Sequence, residues 1–338
     1  MPSRLRSPID GLVRAASTLG LSFASLALVA SASGCSGGGD TGSGGAGGAT
    51  TTPPIDPFPS QGWAWSHGDP SALEQSLLEL VQRARANPAG EVDLLLTVPG
   101  VPGAMKQFNV DEQQLRDDFA TYAPVPPLSF DAHLMESSRF HSEDMAKNGF
   151  QDHDGSAGES FDQRITDAGY DWSFVSENIF AYAKSVAYCE AGFLIDWGNP
   201  DPGHRKAILD IDGKKRDIGI SIIEDPPSME VGPLVVTQDF GAPLETEPDA
   251  EKLIVGVAYR DKNGNGAYDP GEGAPGMIIV PQSGTYHAIT STSGGYSIPM
   301  SAKAGLVKVQ IQDEESFVLE EREVTLDGEN VKLDFVLP

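Results

Sequence analysis

Between Pro126 and Gly241 the chain spaces two histidines, one glutamate and an aromatic-rich helix in a way that an ordinary core does not require. The stretch opens with Leu128-Ser-Phe-Asp131 and a run carrying His141-Ser-Glu-Asp-Met145. Phe150-Gln-Asp-His153, Arg164-Ile-Thr-Asp-Ala-Gly-Tyr170 and Ser176-Glu-Asn-Ile179 follow, and Trp197, Gly203-His-Arg205 and Gln238-Asp-Phe240 close it. A second set of reactive groups lies further on. Asp261, Asn263, Asn265, the Ala267 carbonyl, Asp269 and Glu272 offer oxygens at alternate positions around a turn at Gly266. Oxygen donors so spaced can wrap a calcium ion, and a set with few carboxylates implies weak to moderate affinity. The plain alternative is a solvated Asn-Gly turn. For covalent catalysis the sequence offers little: it has no Gly-x-Ser-x-Gly elbow, and Cys189 sits inside the apolar run Val186 to Ile195 as a structural thiol would.

The elements that must position these groups are legible. Apolar residues from Leu73 to Ala84 form a helical stripe that Asn87-Pro88 ends. The insert from Val98 to Thr121 carries Gly and Pro and then a short acidic helix, Val110 to Phe119. Asp131 can cap a helix that Asn148-Gly149 stops. Ile218 to Ile223 and Pro233 to Phe240 are β-branched enough to be strands. Helices followed by an antiparallel pair predict an α+β layered domain.

In order and spacing the pieces between Pro126 and Gly241 resemble the CAP superfamily (cysteine-rich secretory, antigen 5 and pathogenesis-related proteins, the SCP-like domain) in its bacterial secreted form. The resemblance implies an α-β-α sandwich with a cleft on one face of a small sheet. Carried over residue by residue, it assigns His153, Glu177 and His204 to that cleft. Two imidazoles and a carboxylate are the ligand set of an open zinc-type site, with one position left for water. The family's further glutamate, three residues after the tryptophan, falls on Pro200, with Asp201 and Glu190 as the nearest substitutes, and Ser176 replaces the usual Gly. The reading without a site has Glu177 and Asn178 bonding loop backbone, His204 capping a helix from Arg205 to Leu209, and His153 in a surface loop. His141 is expected to pack or bond locally.

Beyond an acidic linker the pattern changes to short strands separated by turns such as Ser293-Gly-Gly-Tyr296, which predicts a β-sandwich. This part resembles the B-repeat domains of Gram-positive surface adhesins and carboxypeptidase regulatory-like domains. Asp261 to Glu272 within it matches the twelve positions of an EF-hand loop, flanked by strands rather than helices.

The N-terminus has a basic start at Arg4, Arg6 and Arg14, an apolar run from Ala15 to Ala32, and Ala32-Ser-Gly-Cys35. Small residues before a cysteine resemble a bacterial lipobox, with Cys35 lipidated; Ala32 stands where Leu is usual, so ordinary cleavage stays open. The expected organisation is a lipoprotein-type signal peptide (1–34), a Gly/Ser/Thr/Pro-rich tether (35–62), a CAP-like domain (63–244), a linker (245–251) and the β-sandwich (252–338). A net charge of −26 repels phosphate backbones and anionic membranes, so no nucleic-acid partner is expected and membrane contact only through the lipid. The expected function is binding of an extracytoplasmic lipid, polysaccharide or protein by the central cleft, with calcium in the β-domain. A metal-dependent extracellular hydrolase on the same cleft and a structural surface spacer are the alternatives, with catalysis the less favoured.

Overall fold

The computed structural model of the chain describes residues 15–17, 56–58, 62–199, 201–244, 252–300 and 304–338. Cys35, most of the leader and tether, Pro200 and the linker lie outside these. Helix α1 (Ala72–Ala86) starts in a capping box: the Ser71 hydroxyl accepts from the Glu74 amide, and Glu74 accepts from the Ser71 amide. Pro88 begins α2 (Pro88–Thr97), and α3 (Val101–Phe108) and α4 (Glu112–Phe119) follow, so the insert is more helical than its Gly and Pro suggest. Asp131 accepts from the amides of His133 and Leu134 to cap α5 (Ala132–Asn148), and Gly149 ends it at φ 73°. Next come α6 (Phe161–Asp167), α7 (Val186–Ile195) and α8 (Gly203–Ile208).

The sheet between these helices runs β1 (Ala15–Ser17), β4 (Trp172–Ala183), β6 (Leu234–Pro243), β5 (Asp217–Glu224), β3 (Ser129–Phe130). Neighbours are antiparallel except β3 and β5. The apolar core on one face joins Leu77 and Val81 of α1 and Phe193 of α7 to Ile218, Ile220 and Ile222 of β5. Each such buried side chain stabilises the fold by about 1.5–3 kcal/mol. On the opposite face α5 lies directly on β5: a Cβ on Gly219 would come within 2.1 Å of the Leu134 backbone. The result is the α-β-α sandwich expected from the sequence.

The C-terminal part is all β. One sheet orders β10 (Gly295–Met300), β7 (Lys252–Tyr259) and β13 (Val331–Lys332), with β14 (Phe335–Val336) also on β7. The second orders β12 (Val318–Leu326), β11 (Gly305–Gln312), β8 (Ile278–Pro281), β9 (Tyr286–Ile289) and β2 (Trp63–Trp65). The membership of β2 differs from the sequence expectation, which put residue 63 in the first domain. Trp63–Trp65 instead pairs in parallel with Tyr286–Ala288. Asp56 and Phe58, expected in the tether, bond the side chains of Gln310 and Gln312. Residues 56–58 and 63–65 therefore add to the C-terminal domain just before α1 begins, at the open edge that β9 offers.

His67 sits on the seam between the two parts. Its Nδ1 lies 3.2 Å from the Ser297 hydroxyl, and its ring meets Phe130. Burial, partly offset by the charge of Asp69, lowers its pKa from 6.5 to about 4. The unfolded chain thus binds a proton that the folded one refuses. The contribution of His67 to stability is whole above about pH 6.5 and is lost as pH falls toward 4, up to about 3 kcal/mol. Unfolding midpoints of wild type and His67→Gln measured from pH 7 to pH 4 should converge at the acid end; parallel curves would exclude this role.

Candidate functional site

Strand β4 carries Glu177 and Asn178 side by side, so their side chains leave on opposite faces of the sheet. On the α5 and α6 face, His153 Nδ1 donates to Glu177 Oε1 at 2.7 Å and Arg164 donates to Oε2 at 2.6 Å. Arg164 also bonds the carbonyls of His153 and Glu159, which ties α6 to the segment before it. All three side chains are buried. Burial alone would raise the Glu177 pKa, but His141, His153 and Arg164 outweigh it and hold the carboxylate well below its usual range. Asp239 lies directly across on β6 and is equally buried. Burial and then the Glu177 charge push its pKa well up, opposite to the downward shift of Glu177.

On the other face, Asp196 holds His204. It accepts from the His204 backbone amide at 2.9 Å and from Nδ1 at 2.8 Å, while the ring lies against Phe193. Asn178 donates to Gln238 across the strands and to the His204 carbonyl. Glu190 is buried near Glu91 and Arg83, and burial followed by the Glu91 charge pushes its carboxyl well up.

The three residues assigned to one cleft are therefore not brought together. His153 and Glu177 form a pair, and the sheet separates them from His204. The period of a strand decides this, since Glu177 shares its face with Asp239 and Asn178 shares its face with Gln238. The plain alternatives fare no better in detail. His153 is buried rather than a surface loop residue, and His204 lies inside α8, where Asp196 rather than His204 satisfies the helix start. Of the substitutes for the missing glutamate, Asp201 is exposed and pairs with Lys206, and Glu190 is buried with its carboxyl pKa pushed up by that burial. His141 bonds the Asp152 carbonyl and packs on Phe150, as expected, and also faces Glu177.

Each of the two histidines has a buried Nε2 without a partner and a carboxylate on Nδ1, as metal-binding imidazoles do. The set still does not fit a single zinc. Both oxygens of Glu177 are taken, and the histidines lie on opposite faces. Among the described residues no group of His, Cys, Asp and Glu converges as a metal centre. The residues that sequence reasoning left without a role are Arg164, Asp196 and Asp239. Arg164 and Asp239 lay within the quoted motifs, but only the fold reveals that they are buried beside Glu177.

A groove of about 240 Å³ opens beside Ser137 and Arg164, lined also by exposed Phe140 and the acidic Glu136, Glu159 and Asp167.

Residues 79–240 match the family model CAP: Cysteine-rich secretory protein family. The matched CAP-like region covers just under half of the chain, ends with β6 and includes every residue of the two clusters above. No curated protein matches the chain. A solved structure, an extracellular protein containing a SCP domain from Bacillus anthracis str. Ames, is 21% identical over 43% of this chain, with a TM-score of 0.29. The match covers 44% of that protein, and a likeness at this level carries no structural argument.

In the loop of the β-domain, Asp261 accepts from the amides of Gly264, Asn265 and Gly266, and Glu272 accepts from those of Lys262 and Asp269. Gly264 and Gly266 turn at φ 74° and 75°. The donor set is all oxygen, which suits calcium.

Proposed function

We propose that this chain is an exported surface lipoprotein whose CAP-like domain binds a lipid, polysaccharide or protein outside the cytoplasm, while its β-domain takes calcium. The observation that carries binding over hydrolysis is the enclosure of Glu177. A general base must have a lone pair within reach of the proton it removes. Glu177 spends both oxygens on His153 and Arg164, is fully buried, and is a weak base at its lowered pKa. The cluster acts as a rigid support beneath the groove at Phe140, whose aromatic ring and acidic rim suit a partner with an apolar body and cationic or hydroxyl groups.

The hydrolase reading keeps one observation in its favour, the unpartnered Nε2 atoms of His153 and His204. Assays with added zinc on peptide, ester and glycan panels separate the two. No turnover is expected. Zinc-dependent turnover that Glu177→Gln abolishes without unfolding the protein would overturn binding as the main role. Export and anchoring have their own test. Among the described residues no helix is long and apolar enough to cross a membrane, and lipid on Cys35 is the attachment this reading proposes. Cys35→Ala should leave an uncleaved precursor or a soluble species in cell fractionation. Normal membrane association of that variant would exclude lipidation at this cysteine.

A further inference from the structure

Residues 265–270 of the calcium-type loop form one wall of a cleft of about 660 Å³ at the junction of the two domains. Glu79, Leu80 and Arg83 of α1 stand on the opposite wall, with the start of α7 beside them. A polar, half-buried contact beside the cleft joins α1 to the C-terminal domain. Glu79 meets Lys332 of β13 at 2.8 Å, and Lys332 also pairs with Asp334. Gln75 supports the other oxygen of Glu79.

Tyr268 of the loop lines the same cleft as Glu79 and Lys332. It is 7% exposed, its ring packs edge-on against Tyr259, and its hydroxyl is buried without a hydrogen-bond partner. Buried phenols ordinarily find a partner, so this hydroxyl marks an arrangement with a contact still to be made. The Tyr259 hydroxyl donates to the Gly266 carbonyl at 3.3 Å, which joins the loop backbone to β7.

The loop as it stands is arranged around itself. The side-chain amides of Asn263 and Asn265 both donate to Asp269 Oδ2 at 2.7 Å. Calcium accepts oxygen ligands only. Ligation by Asn263, Asn265 and Asp269 therefore requires those amide nitrogens to turn away and release Asp269. That rearrangement falls on residues 265–269, which also line the cleft.

We propose that calcium in the Asp261–Glu272 loop controls the seam between the domains: filled, it fixes residues 265–270 and Tyr268 against the Glu79–Lys332 bridge; emptied, it releases that wall of the cleft. The inference rests on the calcium reading above, and its test separates the two. Terbium luminescence sensitised by Tyr259 and Tyr268 reports filling of the loop in the full chain. Hydrogen exchange of the α1 amides, Ala72–Ala86, reports the seam independently. With calcium at a hundred times its Kd, α1 exchange should slow on the order of tenfold relative to chelator, within a ceiling of about a hundredfold. Glu79→Gln should keep terbium binding and lose most of the α1 response. Terbium and calcium binding with unchanged α1 exchange in the wild type would overturn control of the seam and leave the calcium site standing. Absence of binding would overturn both.

Discussion

Arg164→Met is expected to destabilise the first domain by about 3–5 kcal/mol, the range for removing one partner of a buried ion pair. Arg164 and Glu177 are both buried, so removal of the guanidinium leaves a buried carboxylate short of a partner. The substitution also strips the carbonyls of His153 and Glu159 of their donor and frees α6 from the segment before it. Glu177 would then lose a charge that holds its pKa down, and its carboxyl should titrate higher. Since a depressed carboxyl pKa contributes stability that is lost only as pH falls through it, the variant should begin to lose stability at a higher pH than wild type. Adding Glu177→Gln to Arg164→Met should recover part of the loss, because no unpaired charge remains. Denaturant unfolding of the three proteins decides it; a loss below about 1 kcal/mol for Arg164→Met would mean that solvent reaches the pair, as at exposed salt bridges.

Calcium is expected to raise the stability of the β-domain by about 2.7 kcal/mol at a hundredfold excess over its Kd, as any ligand of the folded state must. Asp261, Asp269 and Glu272 place three carboxylates in one short loop, and each accepts hydrogen bonds from within it. Melting of the full chain in calcium and in chelator should therefore differ, with magnesium a poor substitute because it sheds its waters reluctantly. Glu272→Gln keeps the size of the side chain and removes a charge from the loop's last ligand. It should erase most of the difference. Identical melting curves with and without calcium would reduce the twelve-position match to a turn.

Local signals carried much of the fold because local physics decides them. Ser71, Asp131 and Gly149 bound their helices through hydrogen bonds and a positive φ that depend on a few neighbouring residues. The strand at Ile218 and the sandwich strands were legible for the same reason, since alternation and β-branching are visible in a short window. The strand character of Ser176-Glu-Asn-Ile179 was not read, yet it settles the site: once these residues lie in β4, Glu177 and Asn178 must face opposite ways.

The sequence by itself determined which chemical groups are present, their order along the chain and the α+β class. Only the tertiary structure decided which groups meet. It paired His153 with Glu177 and Arg164, gave His204 to Asp196, buried Asp239 opposite Glu177, and moved Trp63–Trp65 into the far domain. Those partners lie between 8 and more than 200 residues apart or on different strands, and no periodicity encodes them. Burial then sets their charge states, because a carboxyl taken out of water keeps its charge only where the fold supplies a cation or a donor.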